Sequence, residues 1–391
     1  MNYQKIKSVC YRLSVVSQYF FFKLIGLSPW SIDASEIICR NRRIESHNFK
    51  CSFSYVGICY NLLFITVTLI VYNILYIFYS SLISGLEHAR TFEVPFSFLS
   101  MLCVISIIVI YMIRQKLLIN LINNRLQMVD KNLSSCADYD IKYDYTNDLI
   151  FYTNLFFISS ILLALQLYRK SVPIIIFMNL PNFLIIWPLI HYLMFINMIK
   201  LRFEGINSTL LKLGTYESKI LRSRELVLND ISSLKRAYVE ICKGCDDIVS
   251  FFGIPVFIVI FIQSVRSVRN LYFITIELIT SLKIKFIICF AISGVLHTTI
   301  LFILLTTAVT KVIKQNKETL RIINLLRDRF YMDEEIFENL LKFSSHLTYL
   351  TVEFTCCDII PLDRTFLAMI YGTTATYLVI AVQFYINAVT H

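Results

Sequence analysis

Seven stretches of this chain contain no Asp, Glu, Lys or Arg and are each long enough to cross a bilayer as a helix, which takes roughly 20 apolar residues. They are 55–79, 94–113, 149–168, 172–199, 248–265, 286–310 and 366–389. The 391 residues are 57% hydrophobic and only 16% charged, with a mean hydropathy of +0.65. A soluble domain carries about 25% charged residues. The expected fold is therefore all-α: a single polytopic membrane domain over residues 1–391 with seven transmembrane helices. In 172–199, Pro173, Pro181 and Pro188 predict a kinked span.

Charge predicts the orientation. Of the 37 Lys and Arg residues, all but seven fall in the amino-terminal segment or in the stretches 114–148, 200–247 and 311–364. The exceptions are Arg90, Arg169, Lys170, Arg266, Arg269, Lys283 and Lys285. The positive-inside rule then places the amino terminus in the cytoplasm, and an odd number of spans leaves the carboxyl terminus outside. This is the reverse of a G-protein-coupled receptor. The net charge of +10 follows from that asymmetry, and no nucleic-acid footprint is expected. Within the cytoplasmic segment 1–53, Lys5, Lys7 and Arg12 precede LSVVSQYFFFKLIGL. Gln18 and Lys23 interrupt that run, and no small-residue cleavage site follows it. It reads as an interfacial helix rather than a signal peptide.

None of the 11 cysteines lies in a predicted outer loop, so no structural disulfide is expected there. Cys242-Lys-Gly-Cys245 has no second pair and no nearby histidine; it reads as a reduced, structural pair. Cys356-Cys357 reads as buried thiols in preference to a palmitoylation site. The sequons Asn132-Leu-Ser134 and Asn207-Ser-Thr209 fall on the inner side and are expected to be unmodified.

The cytoplasmic regions 200–247 and 313–365 are predicted to be helical. In the second, Ile336, Leu340, Phe343, Leu347, Leu350 and Phe354 form a heptad seam that runs toward Pro361. The first repeats it with Ile231, Leu234, Tyr238, Ile241, Cys245 and Ile248. Such seams pack within a subunit or between subunits, and spacing alone does not separate the two.

No enzyme constellation is present: no HExxH, GxSxG, Walker loop or glycine-rich dinucleotide turn. The six histidines do not cluster at ligand spacing, so no catalytic residue, metal site or cofactor is expected. No charge falls within the spans as bounded above, which argues against an ion-coupled transporter.

The last span does carry polarity. On a 3.6-residue helix, Thr373, Thr376, Ile380, Gln383 and Asn387 form one stripe. Such a stripe is either interhelical glue or the wall of a pore shared by several subunits. Thr376-Tyr377, five apolar residues, then Gln383-Phe384 resembles the TYhhhhhQF signature of insect gustatory receptors. The stretch from Phe343 through Asp363 to Gly372, and LKRAYVEICKGCDDIVSFFGIP before the fifth span, resemble the same family. The resemblance implies a tastant-gated, non-selective cation channel in the plasma membrane of sensory neurons, a homo- or hetero-tetramer with other gustatory receptor subunits. It implies that the last helix lines the pore, with Thr373, Thr376, Tyr377, Ile380, Gln383, Phe384 and Asn387 at the pore or gate. It also implies that cytoplasmic helices join the subunits.

Ligand-binding candidates are the polar and ring side chains of the outer half-spans: Gln166, Asn179, Asn182, Trp187 and Gln263, with His297 near mid-membrane. For any one of them the plainer role is an interhelical hydrogen bond. So few polar groups among Phe and Tyr favour an apolar or aromatic ligand over a sugar. Leu378, where the family's sugar branch carries an acid, points the same way, to a bitter-type or orphan receptor. A fructose-type receptor is the alternative within the family. A G-protein-coupled chemoreceptor is the alternative outside it, but the chain has Tyr168-Arg169-Lys170 after the third span and no Asn-Pro in the seventh.

Overall fold

The computed structural model describes residues 2–32, 50–82, 94–136, 139, 145–169, 172–214, 223–280 and 285–390. The helices in chain order are α1 (Asn2–Leu24), α2 (Tyr55–Leu82), α3 (Val94–Asn120), α4 (Gln127–Ser134), α5 (Thr146–Arg169), α6 (Val172–Leu213), α7 (Arg224–Thr280), α8 (Lys285–Arg329), α9 (Glu334–Tyr349) and α10 (Arg364–Thr390). Seven of them, α2, α3, α5, α6, α7, α8 and α10, are long and apolar enough to cross a membrane. Two short antiparallel ladders complete the described structure. Ser31–Ile32 (β1) pairs with Cys51–Ser52 (β2), and Thr355–Cys356 (β3) pairs with Ile360–Pro361 (β4).

Three helices far exceed a bilayer. α6, α7 and α8 contain 42, 57 and 45 residues, about 63, 85 and 68 Å at 1.5 Å per residue, against a hydrocarbon core of about 30 Å. The sequences predicted as cytoplasmic helical regions are thus largely continuations of the spans, projecting from one end of the bundle. α3 behaves alike: a π-helical turn, Leu121–Leu126, carries it into α4 with helical backbone at both joints. Its apolar side chains there, Leu118, Leu121, Leu126, Val129 and Leu133, are buried at helical spacing. α6 is the central helix, with 83% of its apolar window buried, whereas α10 has 11%.

Charge is used selectively in these extensions. Arg202 on α6 grips Asp130 on α4 through both carboxylate oxygens, at 2.9 and 2.8 Å, and also donates to Met198 O at 3.0 Å. Such a two-pronged contact satisfies a buried pair that would otherwise be costly. Half-exposed Arg125 bridges Glu240 (2.7 Å) and Asp247 (3.4 Å) on α7.

The seams face inward, within one subunit. Ile231, Leu234, Tyr238, Ile241, Cys245 and Ile248 are all buried, as are Ile336, Leu340, Phe343 and Leu347. α9 lies on α7 and α8 of its own chain, with the Phe343 and Tyr238 rings 5.8 Å apart. Asp333 caps α9 by accepting from Ile336 N at 3.2 Å. The seam does not continue helically to Pro361, however. α9 ends at Tyr349, and Phe354 is buried from extended chain leading into β3. Cys357 and Asp358, at φ of 55° and 57°, turn that chain back, and Thr355 Oγ1 donates to Asp358 Oδ1 at 3.1 Å. A turn through left-handed backbone cannot extend a helix.

The amino terminus departs from a helix lying only on the surface. Phe22, Ile25, Leu27 and Trp30 are buried in the bundle, and the Phe21 ring lies 4.3 Å from that of Trp187. Gln18 Nε2 donates to Asp148 at 2.7 Å. The exposed Leu13, Phe20 and Leu24 keep one apolar face turned outward. The aromatic run docks because burying several rings against a helix core stabilises more than half-immersing them at an interface.

Candidate functional site

α10 rests on α7 and α8 through one face only. Phe366 packs on Phe302 with ring centroids 5.5 Å apart, Tyr385 approaches Tyr272 at 6.5 Å, and Thr374 is buried. Thr373, Thr376, Tyr377, Ile380, Gln383, Phe384 and Asn387 all lie exposed on the remainder. Phe384 is 72% and Tyr377 60% exposed. The threonines bond to their own helix: Thr373 Oγ1 donates to Met369 O, and Thr376 Oγ1 to Gly372 O at 3.0 Å. Such back-bonding lets a hydroxyl sit in a nonpolar medium, whereas a primary amide has two donor hydrogens and an acceptor oxygen to match. Gln383 makes no hydrogen bond among the described residues.

The ligand candidates separate. Gln263 on α7 and His297 on α8 come together with Asn154 on α5. His297 Nε2 lies 2.8 Å from Asn154 Oδ1, and its ring stacks on Phe157 at 4.4 Å. Asn154 is oriented by donating Nδ2 to Ile150 O at 2.7 Å. The Thr298 hydroxyl reaches Gly294 O (3.0 Å) and Gln263 Oε1 (3.4 Å). Asn179 and Asn182 are half-buried and neither lacks a partner. Gln166 lies on α5, with its side chain outside the described ones. Trp187 does not floor this cluster. It is enclosed by Phe21, Phe22, Phe151 and Phe183 because the amino-terminal helix fills the space beside it.

The sequence reading missed the most distinctive member. Charge counting assigns Arg266 and Arg269 to an outer loop, but α7 runs unbroken to Thr280. Arg266, about one turn beyond Gln263, is 9% exposed and donates Nη1 to Gln263 Oε1 at 3.3 Å. It lies within electrostatic reach of His297. Arg269 stacks over Phe96 of α3, 4.7 Å from the ring centroid. Arg266, placed by charge counting just beyond the fifth span, is thus buried among the packed helices. A signal was present: the apolar pattern continues through LYFITIELI without Gly or Pro, so nothing stops the helix at Arg266.

Cys242 and Cys245 are buried on the inner face of α7. Burial pushes the Cys242 thiol up to about 12 and Cys245 well above its ordinary value, which keeps both protonated and disfavours thiolate chemistry. Asn207 is also buried, donating to Gln315 Oε1 at 2.8 Å and accepting from Thr319 at 2.7 Å. A folded chain thus has no free Asn207 amide for a glycan.

A model of the 7tm chemosensory receptor family matches residues 17–388. No curated protein sequence matches the chain. Among solved structures, the chain is similar to the insect olfactory receptor OR5 from Machilis hrabei, at a TM-score of 0.63 and 12% identity, over 98% of this chain and 100% of that one. It is also similar to the same receptor in complex with eugenol, at 0.59 and 13%, over 95% and 99%. At such identities the likeness speaks for the fold.

Proposed function

The chain belongs to the 7tm chemosensory receptor family, and from that premise we propose that it is one subunit of a tastant-gated, non-selective cation channel. The observation that carries this is the state of α10. One face packs on its own subunit, and the face with Thr376, Gln383 and Phe384 is left outward. A single polar face cannot enclose a conduit, so the reading requires several copies around an axis, a homo- or hetero-tetramer. Gln383 supplies amide oxygens to passing cations, and Phe384 closes the path by dewetting it. Gustatory is favoured over olfactory by the Thr376-Tyr377…Gln383-Phe384 signature. The amino terminus is cytoplasmic and the carboxyl terminus external, as the lysine and arginine asymmetry indicates. Tastant enters the cluster of α5, α7 and α8, consistent with the small molecule named for one OR5 structure.

The test is current from outside-out patches of cells expressing the chain, with no nucleotide in the pipette and sugars, then alkaloids, in the bath. A rapid, reversible cation current is expected. Responses that need GTP in the pipette would instead support a G-protein-coupled receptor.

A further inference from the structure

The two buried arginines among the described residues are treated differently. Arg202 has a carboxylate held by two bonds. Arg266, equally withdrawn from solvent, has no ion pair and only one amide oxygen among the described residues, and its Nε and Nη2 hydrogens are buried without a partner. The Nε2 group of Gln263, 1% exposed, is likewise unpartnered. These three vacancies lie on adjacent residues of one helix turn, and all three are donors. An uncompensated cation in such a place costs several kcal/mol, and an ionisable residue at this position in a membrane bundle marks a functional site in the first instance.

We propose that Arg266, helped by Gln263, holds the carboxylate of a small organic acid that acts as the ligand of this receptor. A carboxylate accepts bonds only and matches the guanidinium fork, so it satisfies donors without requiring acceptors in return. A sugar hydroxyl brings a donor with every acceptor and fits this donor set poorly. The Phe157 and His297 rings, stacked on each other with His297 within electrostatic reach of Arg266, give the acid's body an apolar wall. The assignment rests on the reading of the chain as a ligand-gated receptor and sharpens it: the ligand is an acid, where ring-rich composition alone favours any apolar or aromatic molecule.

The test reads binding rather than current, so its failure is distinct from failure of the channel reading. Full-length protein in phosphatidylcholine nanodiscs is melted with sodium benzoate, sodium hexanoate or benzamide, the neutral isostere of benzoate. At least one acid is expected to raise the melting temperature saturably, and benzamide is not. Arg266→Gln should weaken that acid by about 30-fold or more, as loss of one partner of a buried charge pair does, with Arg266→Lys in between. Without ligand, Arg266→Gln should melt no lower than the wild type, because it removes an unpaired buried charge. A clear fall in its ligand-free melting temperature would mean that the chain itself supplies a counter-charge, and would overturn the proposal. So would equal acid binding by wild type and Arg266→Gln, or the absence of any shift with either acid. If phosphatidylglycerol doped into the discs stabilises wild type but not Arg266→Gln while the acids do nothing, the anion is a lipid phosphate and the organic-acid assignment fails.

Discussion

At the scale of single residues, Gln383 and Arg202 illustrate opposite demands. Gln383 makes no hydrogen bond among the described residues, so replacing it should leave the subunit's fold intact. Gln383→Ala should change permeation or resting leak at unaltered surface expression; unchanged currents at normal expression would remove Gln383 from the pore. Arg202 is bound at every turn, and its loss strands Asp130. Arg202→Gln should destabilise the protein by about 3–5 kcal/mol, the cost of breaking one side of a buried pair. Replacing both residues by Met and Leu should recover most of the loss, since an apolar pair of similar size is often neutral there. Denaturant melts of the purified protein check both.

At the scale of elements, α9 and α10 show how one apolar periodicity is spent in different ways. The α9 seam is filled by α7 and α8 of the same chain. Phe343→Ala should therefore cost about 3–5 kcal/mol, as truncation of a buried ring does, at any protein concentration. A loss that disappeared when subunits were kept apart would instead assign the seam to an interface. α1 is held to α2 by a close passage: a Cβ on Gly57 would lie 1.7 Å from Pro29 O, far inside contact distance. Gly57→Ala should displace the chain between α1 and β1 and expose Trp30, read as a red shift in tryptophan emission. A variant with unshifted emission and stability would show that the segment moves aside freely.

At the scale of the whole molecule, the remaining expectation is orientation. An epitope added after His391 should be reached by antibody on intact cells, and one before Met1 only after permeabilisation. The reverse pattern would invert the channel. Glycosidase treatment should leave the protein's mobility unchanged, because Asn207 is buried against Gln315 and both sequons lie on the predicted inner side.

The sequence by itself determined the class, the seven spans and the identity of the last helix. Each is a local property: an apolar run must be helical in lipid because its backbone has no other partner, and the Thr376–Phe384 signature lies within one helix. The inward direction of the two seams, the docking of Phe22 and Trp30, and the turn at Cys357 that ends the α9 pattern were decided only by tertiary packing. So was the cluster at Arg266. Asn154, Gln263 and His297 are far apart in sequence, and each reads alone as an ordinary interhelical donor or acceptor. Arg266 reads as a loop charge because charge counting ends a span at the first cation. The unbroken apolar pattern after it lets α7 pass through that residue, but only the packed helices show a guanidinium left inside with two of its nitrogens unmatched among the described residues.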